Sequence, residues 1–295
     1  MLSYLAAVLI VAGIYALLTL GLNLHYGFTG LINFGHVGFF AIGAYASALV
    51  ALAGWPIALG FAVAIVLAAL SALPLGLLAL RLHEEYLAIV SLGFSEIVRI
   101  VIVSEEGLTR GVQGLAGIPR LFVGLGIGGG AEYAYLGLVL ACNLAAVLLI
   151  LRLVRSPFGK LIEAIRDDEV AVTAIGKFPA GAKVRVFMIG AALAGLAGAL
   201  YAHYMAYLVP DQFLPLVTFY VWMAMILGGV GSIPGALVGT AVLIGLLEGS
   251  RFIRDVFPGV MEVQMASVRL GLIGLGIVLV ILYRPQGIMG SFAGK

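Results

Sequence analysis

Charge is what this sequence has least of. Only 10% of its 295 residues are Asp, Glu, Lys or Arg, against about 25% in a soluble domain. None occurs before Arg81. A water-soluble fold cannot cover itself with so uncharged a stretch, so that class is excluded. The single cysteine, Cys142, excludes an intrachain disulfide and offers no thiol pair for redox chemistry. The four histidines, His25, His36, His83 and His203, lack the Cys or carboxylate spacing of a metal site. No G-x-x-x-x-G-K-[ST] motif occurs, so the chain has no P-loop for ATP. A net charge of +2 is too small to recruit nucleic acid. Period-2 alternation is also missing, which excludes a transmembrane β-barrel.

What is there is apolar. The chain is 63% hydrophobic with a mean hydropathy of +1.19. Roughly 20 apolar residues at 1.5 Å rise cross a hydrocarbon core about 30 Å thick. Runs that meet this test predict about nine spans, near 3–24, 31–53, 57–80, 86–103, 133–154, 184–209, 214–230, 233–250 and 268–283. The expected fold is an all-α, polytopic integral membrane protein, one transmembrane domain over 1–295. The opening "MLSYLAAVLIVAGIYALLTLG" lacks a basic n-region and runs on into apolar chain, which reads as a first span rather than a cleaved signal.

Basic residues cluster. Arg152, Arg155, Lys160, Arg166, Lys177, Lys183 and Arg185 are 7 of the 16 Lys and Arg. The positive-inside rule places this stretch in the cytoplasm. Alternation then puts the C-terminus inside, and the 210–213 and 251–267 connections and the N-terminus outside. Glycine is abundant, with 41 residues, and small residues three or four apart let membrane helices pack closely. Two Gly-rich interruptions look alike, "YGFTGLINFGHVG" at 26–38 and "LGGVGSIPGALVG" at 227–239. Broken helices in corresponding places point to an internal repeat and a transport site. The literal G-x-G-x-x-G at Gly124, Gly126 and Gly129 has no strand or acidic residue in the places a dinucleotide site needs. It reads as an extracytoplasmic loop.

One short stretch departs from the rest. In 156–176, Ser156 and Pro157 suit an N-cap and first helical position, and Gly176 a left-handed close. Leu161, Ile162, Ala164, Ile165, Val172 and Ile175 form an apolar side, and Glu163, Arg166, Asp167 and Glu169 a polar one. Asp167 or Asp168, good N-caps themselves, can split the helix in two. It is too polar to span. Membrane-surface helices are usually rich in Lys and Arg, whereas this one is acidic, so a protein partner suits it better than anionic lipid.

Polar groups inside spans need a reason, because an ionised side chain at mid-bilayer costs about 2.5 to 3.5 kcal/mol even on the lenient scale. Ser91, Ser95 and Arg99 recur at four-residue spacing, with Glu96 able to pair with Arg99. Such a stripe reads equally as a structural ion pair, with Arg99 reaching outward, or as a wall of a translocation path or subunit interface. Asn33 and His36 sit in the first interruption. They read as structural groups, with a substrate carboxylate at a half-helix N-terminus as the alternative.

The segments "RSPFGKLIEAIRDDEVAVTAIG", "AALAGLAGALYAHY", "LGLNLHYGFTGLINFGHVGFFAIGAYASAL", "YLAIVSLGFSEIVRIV", "GLTRGVQGLAGIP", "MILGGVGSIPGALVGTAVL" and "VLVILYRPQGIMG" together resemble the membrane permeases of branched-chain amino acid ABC transporters, the M-type more than the H-type. The resemblance covers nearly the whole chain. It implies a non-catalytic subunit of a bacterial or archaeal plasma-membrane importer, with no cofactor of its own. Its partners would be an H-type permease, two cytoplasmic ATPase subunits that use the ATP, and an extracytoplasmic binding protein. It also implies that Glu163, Ala164, Ile165, Arg166, Asp167 and Gly176 couple to the ATPase. Asn33, His36, Ser95, Glu96 and Arg99 become candidates for the translocation path, and Thr109, Arg110, Gln113 and Gly114 for contact with the binding protein. Family loops often carry Gly where Arg110 stands. Urea or short amides are the alternative substrates, and a self-contained secondary transporter using Glu96 or Glu248 the alternative class.

Overall fold

The computed structural model describes residues 2–80, 82–122 and 130–256, together with 271, 274, 275, 278, 282, 283 and 286–290. The G-x-G-x-x-G stretch and most of the expected 268–283 span lie outside the described residues. Helices follow the apolar runs: α1 Leu2–His25, α2 His36–Leu52, α3 Ile57–Leu78, α4 Glu84–Ser104, α5 Glu106–Thr109, α6 Ala131–Arg155, α7 Pro157–Asp167, α8 Glu169–Ala174, α9 Pro179–Met205, α10 Leu216–Gly228 and α11 Ile233–Val256. Six helical stretches are long and apolar enough to cross a membrane, and His36–Leu52 and Ile233–Glu248 are shorter apolar helices.

The second expected span begins later than its apolar run. Residues 26–35 form turns and irregular chain, and helix starts only at His36. Two local causes account for this. Gly30 has φ +77°, a left-handed turn that ends the continuation of α1. Asn33 Oδ1 then accepts the Gly35 N–H at 2.9 Å, a local bond that competes with helix. α10 is likewise shorter than its run of 214–230, starting after Pro215 and ending at Gly228, before Gly229 at φ +122°.

α9 is the axis of the bundle, packed on α1, α2 and α3. Its "GAALAGLAGAL" run makes this possible. A methyl at Gly195 would strike Ala64 and Ala68 of α3, at Gly198 the backbone of α2, and at Gly190 the His25 ring and Gly21 carbonyl of α1. Helices in lipid gain little from the hydrophobic effect between themselves, so such close approach supplies the attraction. Phe39, Phe40, Phe187 and Phe213 fill the spaces between and are fully buried.

The contacts between breaks and loops sort into two ends of the bundle. One holds α7, α8, the 26–35 break and the 229–232 break. At the other, β1 (Leu115–Ala116) pairs antiparallel with β2 (Tyr207–Leu208), tying the loop after α5 to the end of α9.

Candidate functional site

The α7 end is built from its caps upward. Ser156 Oγ accepts the Gly159 N–H at 3.3 Å and Pro157 takes the first helical position. Asp168 separates the two helices by capping the second, with Oδ1 on the Ala171 N–H at 2.9 Å. Gly176 closes the segment at φ +76°. Ile162, Ile165 and Val172 are buried, and full burial of such side chains is worth about 1.5 to 3 kcal/mol each, enough to seat the helix pair on the bundle. Lys183 Nζ of α9 holds Glu169 at 2.6 Å, a second anchor.

The apolar side is narrower than the sequence suggests. Ala164 points outward, and Val170, Ile175 and Phe178 are 78%, 74% and 86% exposed. The break at Asp168 rotates α8 relative to α7, so the 3.6-residue pattern does not run through. Glu163 is half-buried and has no ionic or hydrogen-bond partner among the described residues.

Arg166 does something that its place on a polar face does not foretell. Its Nε and Nη2 donate to Asp167 Oδ1 at 3.1 and 3.0 Å, which fixes the guanidinium, while Nη1 donates to the Gly27 carbonyl at 2.9 Å. The charged helix thereby grips the first Gly-rich break. That break in turn meets the second: Asn23, in the last turn of α1, accepts the Gly231 N–H at 2.9 Å and donates to the Ser232 carbonyl at 3.1 Å. The end of the chain joins there too, with the Ile288 and Met289 N–H groups on the Leu227 and Gly228 carbonyls at 2.9 and 2.8 Å. Asn23 and Lys183 are functional candidates that composition and motif did not single out. The available signal was Thr19 and Asn23 at i, i+4 in an otherwise apolar helix, matched by Ser232 just before α11 and Thr240 within it.

The remaining candidates separate into three places. Asn33 and His36 are fully buried. Asn33 Nδ2 lies 3.1 Å from His25 Nδ1 and 3.5 Å from His36 Nδ1, His36 Nε2 lies 3.1 Å from the Leu18 carbonyl, and Trp222 Nε1 donates to the Asn33 carbonyl at 3.1 Å. Every one of these side chains is committed to the protein. Ser91 and Ser95 are buried as well; Ser91 Oγ receives the Phe34 N–H at 2.9 Å, and Ser95 donates to Leu92. Glu96 and Arg99 stand apart on α4 as an ion pair at 2.8 Å, with side chains 34% and 27% exposed.

At the opposite end, Thr109 is buried and its hydroxyl meets the Ile102 and Glu105 carbonyls at 2.5 and 2.7 Å. Gly114 packs on Leu208 with no room for a side chain. Of the four loop candidates only Arg110 and Gln113 project outward. Arg110 holds φ +58°, a left-handed conformation that favours glycine. Nearby, a cavity of about 770 Å³ opens among the ends of α1, α6 and α9, lined by Arg120, Glu132, Tyr135, His203 and Tyr204. The His203 ring is bonded to Pro119 and Ser47. No ion pair joins Arg120 to Glu132 among the described residues.

An apolar helical bundle with one amphipathic charged segment attached to its broken helices is the architecture of a polytopic membrane transport subunit. The family model for the permease component of the branched-chain amino acid transport system matches residues 4–282. The chain belongs to that family. It is 36% identical to the high-affinity branched-chain amino acid transport system permease protein LivM of Salmonella typhimurium and to that of Escherichia coli, over 94% of this chain and 68% of either relative. It is 27% identical to LivH of Escherichia coli over 94% of this chain and 91% of the relative. No solved structure matches.

Proposed function

We propose that the chain is the M-type permease of an ATP-driven importer of branched-chain amino acids, and that α7 and α8 receive the mechanical stroke of the ATPase. One observation carries this reading: Arg166 joins the only strongly polar helix pair among the described residues to the Gly27 carbonyl in a break between two apolar helices. A helix lying on lipid would have no use for that bond. The exposed Val170, Ile175 and Phe178, beside Asp167 and Asp168, form an apolar and acidic surface suited to a protein groove.

The partners follow from the family: a second, H-type permease, two cytoplasmic ATPase subunits and an extracytoplasmic binding protein. The basic cluster at 152–185 puts the α7 end in the cytoplasm of a bacterial or archaeal cell. Arg110 and Gln113 then face the binding protein. The half-covered Glu96–Arg99 pair on α4 is where the second permease or the aqueous path adjoins, since lipid would be a poor neighbour for it. The secondary-transporter alternative needs an intramembrane carboxylate that works alone. Glu96 is held by Arg99 and Glu248 by the Tyr4 hydroxyl at 3.4 Å, which disfavours that alternative. Arg120 and Glu132 in one cavity offer opposite charges to a zwitterion, which favours an amino acid over urea or a neutral amide.

The test is uptake of labelled leucine in cells lacking their own system, supplied with this chain and its partners, with an active or a hydrolysis-defective ATPase. Hydrolysis-dependent uptake competed by isoleucine and valine supports the reading. Uptake without hydrolysis, or competition by urea instead, overturns it.

A further inference from the structure

Thr19 and Asn23 lie one turn apart on α1, and the groups they meet, on α11 and in the break before it, run in the opposite order. The Thr19 and Thr240 hydroxyls are 2.8 Å apart, and Asn23 bridges Gly231 and Ser232. Thr19, Asn23 and Thr240 are buried, so these are bonds that water cannot replace cheaply. The seam ends at Gly27, where a methyl group would fall on Asn23 Oδ1 and on the Gly231 nitrogen. Beyond it lies Arg166. Ser232 extends the chain of contacts by donating to the Met289 carbonyl at 3.0 Å.

We infer that Asn23 is a positioning residue for energy coupling, the latch that makes the two Gly-rich breaks move as one body when Arg166 is displaced. The inference rests on the coupling role given above to Arg166. Arg166 hydrogen-bonds only the first break, through Nη1; Gly231 lies beside that guanidinium without a bond to it, and the hydrogen bonds that tie the second break to α1 run through Asn23. Without the latch, the breaks keep only their van der Waals contact at Gly27 and Gly231, and movement of α7 shifts the α1–α2 connection more than it shifts α10–α11. The pore then fails to switch although the ATPase still closes. A carboxamide suits this task because it offers an acceptor to Gly231 and a donor to Ser232 at once. A leucine of similar size offers neither.

The experiment measures ATP hydrolysed per leucine taken up, with the complete transporter in proteoliposomes and loaded binding protein inside the assay. Asn23→Leu is expected to keep hydrolysis within about twofold and to raise the ratio about tenfold, the scale of losing two buried hydrogen bonds from one conformational step. Asn23→Asp keeps the acceptor for Gly231 and loses the donor; it is expected to raise the ratio about threefold. It also serves as the test if the leucine variant does not assemble. An unchanged ratio, or hydrolysis and uptake falling together, overturns the latch. If Arg166→Leu raises the ratio and neither Asn23 variant does, the latch fails and the coupling role of Arg166 stands. If none of the three raises it, both fail.

Discussion

Two glycine-to-alanine substitutions, chemically identical, should have opposite consequences. At Gly27 the added methyl lands where Asn23 Oδ1 and the Gly231 N–H meet, against backbone that cannot swing aside. Overpacking of this kind costs about 1 to 3 kcal/mol. The two Asn23 hydrogen bonds contribute about 0.5 to 1.5 kcal/mol each when intact, so Gly27→Ala is expected to destabilise by about 2 to 6 kcal/mol. Gly93, in the middle of α4, has nothing within 4 Å of the same methyl. There alanine gains helix propensity of up to about 1 kcal/mol. Thermal unfolding of the purified chain in one detergent, followed by loss of monodisperse protein, compares them directly. Gly27→Ala should melt well below the wild type and Gly93→Ala at or above it. Equal midpoints would refute the close meeting of the two breaks, on which the coupling argument depends.

Arg110→Gly should stabilise the loop after α5, since a left-handed conformation costs a side-chain-bearing residue about 1 to 2 kcal/mol; slower proteolysis of that loop would show it, and faster cleavage would contradict it. Glu96→Leu strands Arg99 within a span and should lower the amount of protein in the membrane. Glu96→Leu combined with Arg99→Leu should restore it, because a paired charge is costly to break and cheap to remove whole; a double variant worse than the single would argue that the pair serves transport. Glu163→Ala, at a carboxylate with no partner among the described residues, should leave membrane levels unchanged and reduce uptake severalfold. Wild-type uptake would remove Glu163 from the docking surface. A protease site appended after Lys295 should resist external protease in intact cells, and cleavage would invert the proposed orientation.

Much of this architecture is legible in the residues because lipid leaves the chain few options. Long apolar runs must be helical, and the Ser156–Pro157 cap, the Asp168 division and the Gly176 close are local chemistry readable without a fold. The Glu96–Arg99 pair follows from helical spacing alone. What is not legible depends on neighbours distant in sequence. Nothing near Asn23 announces Gly231, and nothing near Arg166 announces Gly27. The delayed start of α2 reflects a turn whose glycine and asparagine compete with helix inside an otherwise apolar run. Ile175 reads as buried because its spacing continues α7, yet the change of axis at Asp168 turns it outward. Asn33 and His36 read as structural groups, with a ligand at a broken helix as the alternative; the partners that occupy them, Leu18, His25 and Trp222, become visible only when α1 and α10 close around them.

α9 is held at both of its ends. Lys183 clasps α8 near one, and β2, immediately after the other, is laced to the loop that carries Arg110 and Gln113. Its 27 residues make a rod about 40 Å long at 1.5 Å per residue. A rod fastened at both ends carries information in both directions. If the nucleotide state of the ATPase changes the grip of the opposite end on its binding protein by some factor, then by linkage the loaded binding protein changes nucleotide affinity by that same factor. The arrival of substrate outside the cell would then be felt inside before any molecule has crossed.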